Sequence, residues 1–493
     1  MTPLHPISPH VVVLNRRQLL VRGALALAAT SAVPAWLRAE EISPVMAALS
    51  RYMAAARDQA LPAAVVEKAK HHVLDTFAAM ISGSELPPGR AALAFARAHA
   101  GQPVATVIGS TVVTSAIDAA LMNGILAHSD ETDDSHGPSQ SHPGSSTVPA
   151  ALAAGEAFGI SGTQFLRAVT LGYDVGTRVT TALGGTTFRD ETHRSTHSIA
   201  GTFCAAAAAA SAAALDAQKM RWLLDYASQE SSGFAAWERD TDHIEKGFVF
   251  AGMPARNGVT AALLVQSGFN GVDDVFSGDD NYFQAYAPKG NPELLVEKLG
   301  ERYAVTETDI KKWTVGTPIQ APLDAVEALR KKHPFEADQV KSVVVRLAPT
   351  VGSVVDNRDI PDICLQHMIA VMLLDKTASF QAAHDKARMQ DAAVLRQRAK
   401  VQYVADEQLA RLLPVRVGVV EITLTDGTQM SERVEAVRGT PRNPMPREEV
   451  VAKARDLIAP VLGAGTAQKL IDAVLNIDSV SNVRTFRALL QKT

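Results

Sequence analysis

The sequence predicts a mostly α fold: a large helical body formed by the N- and C-terminal parts of the chain, with an α+β module inserted between them. Three observations carry this reading. Alanine is abundant and aromatics are only 5%, which suits helices that approach closely, because Ala is the best helix former and has little bulk. Between residues 307 and 440 the pattern turns β-branched and alternating, with a hairpin signal at Asp426-Gly427. Beyond Pro441 helical spacing returns. The body is assigned to residues 40–306 and 441–493 and the module to 307–440.

At 493 residues, with 47% apolar and 20% charged residues, the chain is globular and long enough for more than one domain. A net charge of −4 gives no basic field of the kind that holds nucleic acid. Cys204 and Cys364 lie far apart and outside any metal-ligand spacing, so one disulfide is possible but not required.

Residues 1–39 read as an address. Arg16-Arg17 opens a twin-arginine pattern, followed by an apolar run over 23–35 and small residues suited to cleavage. The run is shorter than the ~20 residues that span a bilayer, so no permanent membrane anchor is expected. The implied route is the twin-arginine export machinery, and the implied location is periplasmic.

The body elements follow in order. Ser43 caps a helix whose first residue is Pro44, with Val45, Leu49, Tyr52 and Met53 on one face. Pro62 precedes a second helix, and Pro87-Pro88-Gly89 breaks the chain before a third. Residues 105–109 form a short strand or extended turn, and 115–127 an apolar helix. Helices resume over 146–158 and 161–178. The polar run 184–198 reads as a loop, 201–215 as a central Ala-rich helix, and 252–268 as another helix. In the module, 341–347 and 417–425 are strands, the latter pairing with 430–436, and 365–374 is a helix. Helices at 448–461, 467–475 and 481–490 complete the chain.

The chemistry concentrates in residues 123–144. Asp130, Glu131, Asp133, Asp134, His128, His136 and His142 crowd between apolar helices. Such groups perturb each other's proton affinity, which is how a proton-transfer site is made. A solvated acidic loop, or a cation site on Asp130, Asp133 and His136, is the alternative. His142 is fixed by Pro143-Gly144 at a turn and is a natural proton carrier. Lys246, Lys312 and Arg256 together suit a substrate bearing carboxylates. No dinucleotide, Walker, nucleophile-elbow or zinc-protease motif competes.

These stretches resemble the MmgE/PrpD family, which includes 2-methylcitrate dehydratase, cis-aconitate decarboxylase and iminodisuccinate epimerase. The similarity rests on Asn123-Gly124, Ala127-His128, Asp133-Asp134, His142-Pro143, Gly172-Tyr173-Asp174, Lys246 and Ala255-Arg256-Asn257-Gly258. It implies a helical body with an α+β lid, a homodimer, no metal and no organic cofactor. It also implies a lyase of the dehydratase or hydratase type acting on a small polycarboxylate or hydroxy acid. Decarboxylation, epimerisation, or a catalytically silent binding protein are the alternatives. The catalytic residues implied are Glu131, His142, Lys246 and Lys312, with Ser135, Asp130, His197 and Arg256 as substrate contacts. Two family histidines fall on Ser195 and Gln320, and a lid tyrosine falls near Val355.

Overall fold

The computed structural model describes residues 42–492. The expected export signal, residues 1–39, lies outside the described residues. The principal helices of the body are α1 (Pro44–Ala56), α2 (Ala63–Gly83), α3 (Ala116–Ala127), α4 (Pro143–Phe158), α5 (Gly162–Leu183), α6 (Thr196–Ala212) and α7 (Met253–Gln266).

Local sequence explains their starts. Ser43 Oγ accepts from the Met46 amide at 3.1 Å, and Pro44 occupies a first-turn position where its missing N–H costs nothing. Ser115 caps α3, and Ser161 with Gln164 forms a capping box on α5. The Ala-rich helix α6 is buried along nearly its whole length and packs on α4, α5 and α7. Its small side chains permit that close approach.

The inserted segment contributes α8 (Thr317–Lys332), β1 (Val340–Leu347), α9 (Leu365–Asp375), β2 (Val401–Ala405), β3 (Gly418–Leu424) and β4 (Gln429–Val434). The sheet order is β2-β1-β3-β4, with β1 and β2 parallel and the other pairs antiparallel. The alternating residues Val343 and Val345 of β1 and Val420 and Ile422 of β3 face a core shared with α8 and α9. Gly427, at φ 90°, makes the expected hairpin turn. Helices α10 (Arg447–Leu462) and α11 (Ala464–Leu475) return to pack on α2. Both ends of the described chain therefore build the helical body.

Some local expectations change. The polar run read as a loop contains a helix, Gly185–Thr192, entered through the left-handed Gly184 and Gly185. Strand β2 and helix α8 were not anticipated. The final segment is a 3₁₀ turn, Val483–Phe486, followed by one helical turn, Arg487–Leu490. Cys204 and Cys364 are both free and buried, so they form no disulfide.

Candidate active site

The loop that follows α3 is tied down on three sides. Asn123 of α3 accepts from the Ile108 amide at 2.9 Å and donates to the Thr106 carbonyl at 2.8 Å. Asp134 accepts from Tyr173 Oη at 2.5 Å, His72 Nδ1 at 2.9 Å and the Gly144 amide at 3.0 Å. Gly144 is required there: a Cβ would lie 2.5 Å from Tyr173 Oη and 2.7 Å from Asp134 Oδ2. Lys453 of α10 reaches in to the Thr132 carbonyl at 3.0 Å and to Asp75 at 2.7 Å.

This frame presents a buried cluster of charges. Asp133 accepts from His128 Nδ1 at 2.8 Å and lies 3.3 Å from His142 Nδ1. Glu131 pairs with Lys246, and Lys311 sits 3.6 Å from Glu131 and 3.5 Å from Asp133. Burial opposes ionisation of both acids. The lysines beside Glu131, and the histidines with Lys311 beside Asp133, outweigh it and hold both carboxyls well below the usual range. Glu131 is thus a fixed anion that anchors two ammonium groups, and a weak base.

His142 differs. Its Nδ1 lies 2.5 Å from the Asp134 carbonyl. A carbonyl accepts only, so Nδ1 carries the proton and Nε2 of the neutral ring has a free lone pair. His142 lines a cavity of about 290 Å³ together with Ser135, His197, Asp309, Lys311 and Arg416. Asp309 reaches it because its backbone bridges Ser135 in both directions, at 2.9 and 3.1 Å. Burial pushes the Asp309 carboxyl up to about 7.

An aromatic wall backs the imidazoles. Phe250 stacks on His197 at 4.0 Å and on His128 at 4.8 Å, and Trp237 meets Phe250 edge-on at 4.6 Å. Phe250 sits in a π turn, Phe248–Gly252, which joins the Lys246 segment to α7. Such turns carry one residue more per hydrogen-bonded ring and re-aim the side chains around them. Burial, with the neighbouring positive groups, keeps His197 and His243 neutral at ordinary pH.

The structure gathers Glu131, His142, Lys246, Ser135 and His197. Glu131 and Lys246 do not line the cavity but connect to it through Lys311. Three expected residues go elsewhere. Lys312 turns away to Glu327 at 2.7 Å and lies over the Trp313 ring, and Lys311 takes the place expected for it. Lys311 and Lys312 lie where the chain enters a bend and their side chains leave on different sides, so a shift of one residue exchanges buried for half-exposed. Asp130 is bound by Thr132 Oγ1 at 2.5 Å and paired with His384 at 2.8 Å, which makes it a tie between loop and inserted segment. Arg256 donates to its neighbour Asn257 at 2.9 Å and does not line the cavity. Lys311, Asp309, Arg416, His243 and His384 were missed. Lys311 was masked by its neighbour Lys312, and the other four are single residues whose local sequence carries no signal.

The positions that depart from the family pattern have structural duties here. Ser195 caps α6 by accepting from the Ser198 amide at 3.3 Å. Gln320 lines the cavity yet spends its amide on the Trp313 and Val315 backbone. Val355 is buried in the core of the inserted segment.

Two trios could close around a cation: His128, Asp133 and His142, and His128, Glu131 and His243. Their donor chemistry fits poorly, because Lys246 and Lys311 already neutralise the carboxylates that would do the ligating. The trio of Asp130, Asp133 and His136 considered from sequence is dispersed: His136 Nδ1 bonds Ser139 Oγ at 2.7 Å, and Asp130 bonds Thr132.

The MmgE/PrpD N-terminal domain matches residues 47–295, and the MmgE/PrpD C-terminal domain matches residues 313–479. The chain is similar to the cis-aconitate decarboxylase of Aspergillus terreus, 24% identical, with 87% of this chain and 92% of that protein covered. It is 25% identical to the cis-aconitate decarboxylase-like protein oryM of Aspergillus oryzae, over 90% of this chain and 97% of that protein. It is 25% identical to the Homo sapiens cis-aconitate decarboxylase, over 87% of this chain and 90% of that protein.

Proposed function

The chain belongs to the MmgE/PrpD family, a family of enzymes, and from that premise we propose that it is a lyase of the dehydratase or hydratase type acting on a polycarboxylate or hydroxy acid. The observation that carries this reading is the His142 ring, with Nδ1 held on the Asp134 carbonyl and the ring lining the cavity. A base so oriented removes a proton α to a carboxylate through Nε2.

The charge that develops on the carboxylate as the proton leaves faces the Lys311 ammonium, which Glu131 and Asp133 hold in place. Asp309 supplies a proton to the departing hydroxyl, so hydroxide leaves as water and a carbon–carbon double bond remains. Its carboxyl, pushed up to about 7, holds a proton in part of the population near neutral pH. The protein side chains alone carry these steps, without a metal or organic cofactor.

Residues 307–440 serve as a lid in this reading, closing on the body to exclude water. The relatives' names make decarboxylation the second reading: the bond from carbon to a carboxylate breaks, carbon dioxide leaves, and the electron pair left on carbon takes a proton from His142, which starts protonated in that case. The twin-arginine pattern supports export to the periplasm, and the family resemblance supports a homodimer. A reporter bearing residues 1–39 that stays in the cytoplasm would remove the first. Light scattering that reads a monomer would remove the second.

The test is a panel of di- and tricarboxylic hydroxy acids and their unsaturated partners, followed by proton NMR in deuterium oxide. Deuterium appearing α to a carboxylate supports the reading. Binding without exchange for every compound would turn the protein into a catalytically silent binder.

A further inference from the structure

The cavity that holds His142 contains a cation with no hydrogen-bond or ion-pair partner among the described residues. Four basic side chains besides the histidines line it: Lys311, Arg416, Arg438 and Arg442. Lys311 already has carboxylate partners in Glu131 and Asp133 and serves the reacting end. Arg438 is paired with Glu449 and bonded to Asn443, and Arg442 rests on the Glu435 carbonyl at 3.3 Å. Arg416 makes no hydrogen bond or ion pair among the described residues. Burial works against its charge, and Asp309 is the foremost carboxyl that favours it, without coming within ion-pair distance.

A half-buried guanidinium whose nitrogens are not sealed from solvent and which has no acceptor among the described residues keeps its five donors available to a ligand. The fork geometry suits one ligand group above others: a planar carboxylate taken by two parallel N–H bonds. The cavity also has an apolar part to its lining, with Pro138, Ile310, Val415 and Val437 among the residues around it. A compact, uniformly polar acid would leave that surface unmatched.

We propose that Arg416 binds a second carboxylate of the substrate, remote from the reacting carbon and joined to it by an apolar stretch. The substrate class is then a dicarboxylate with a hydrocarbon spacer, held with its reacting end at His142 and Lys311 and its far end at Arg416. This rests on the acid–base reading for which end reacts, while the binding preference stands without it.

The experiment compares straight-chain acids in length-matched pairs: succinate with butyrate, adipate with hexanoate, suberate with octanoate. Affinities are measured by calorimetry on the wild type, Arg416→Gln and Arg416→Lys. The expected result is that at least one dicarboxylate binds the wild type about tenfold more tightly than its monocarboxylate partner, about 1.4 kcal/mol. Arg416→Gln should abolish that difference without weakening the monocarboxylate, and Arg416→Lys should restore part of it. An unchanged dicarboxylate preference in Arg416→Gln, or no preference in the wild type, overturns the proposal. Melting temperatures of the unliganded variants identify any that fail to fold, and a misfolded Arg416→Gln leaves Arg416→Lys and the wild-type pairs to decide. Dicarboxylate preference without deuterium exchange would spare this proposal and sink the lyase reading. Exchange on hydroxy acids in Arg416→Gln at the wild-type rate and KM would do the reverse.

Discussion

Lys453 of α10 donates to the Thr132 carbonyl at 3.0 Å, across 321 residues of sequence, and pairs with Asp75 at 2.7 Å. One buried ammonium thus ties the C-terminal helices to the acidic loop and to α2. Removing one partner of a buried pair costs roughly 3–5 kcal/mol, because the other charge is stranded. Lys453→Ala should lower the melting temperature and reduce turnover although Lys453 touches no substrate. Lys453→Met with Asp75→Leu should recover most of the stability. A single variant as stable as the wild type would show the tie to be idle.

Lys311 and Lys312 make opposite predictions. Lys311→Met removes the ammonium that faces developing charge and should cut turnover by roughly a hundredfold or more. Lys312→Met loses a half-exposed pair with Glu327 and should keep near-normal kcat. Steady-state kinetics on both variants decides the register, and the reverse pattern would restore Lys312 to the site.

Asp309→Asn should separate two steps. Proton abstraction by His142 needs no acid, so deuterium exchange α to the carboxylate should survive. Loss of water should fall by roughly 10²–10⁴-fold, the usual contribution of general acid–base catalysis. NMR reads exchange and product in one sample. Equal loss of both, or loss of neither, would remove Asp309 as the acid.

His384 gives a pH signature. Burial opposes its charge, but the hydrogen bond and charge of Asp130 outweigh it and push the imidazole up to about 9. A pKa raised in the folded state adds stability that is fully present below the unfolded value, near 6.5, and is lost as pH rises through about 9. The wild type should therefore exceed His384→Gln in melting temperature most below pH 6, with the gap closing by pH 10. A gap that widens with pH would mean the ring is buried neutral.

Much of this was legible in the sequence, for particular reasons. Imidazoles and carboxylates packed between apolar helices announce themselves by composition, so the acidic stretch and His142 stood out, while Glu131 and Ser135 were named from the family resemblance. The hairpin at Asp426-Gly427 and the returning helices α10 and α11 follow from turn chemistry and period. Lys311 was hidden because two adjacent lysines in an irregular segment differ only in which way they point. Asp309 and Arg416 come from single positions in irregular segments, joined to His142 only by folding. Strand β2 escaped because its pattern, Val401-Gln-Tyr-Val-Ala405, is short and lies at the sheet edge. The helix Gly185–Thr192 escaped because its exposed polar residues carry no apolar period.

The most direct measurement is deuterium incorporation α to a carboxylate, compared between the wild type and His142→Gln on whichever acid exchanges in the panel. Glutamine keeps a polar group near the Asp134 carbonyl but has no titratable nitrogen. Exchange in the wild type, falling by roughly 10²–10⁴-fold in a variant of unchanged melting temperature, is the expected result. Exchange at the wild-type rate in folded His142→Gln would contradict the assignment of His142 as the base.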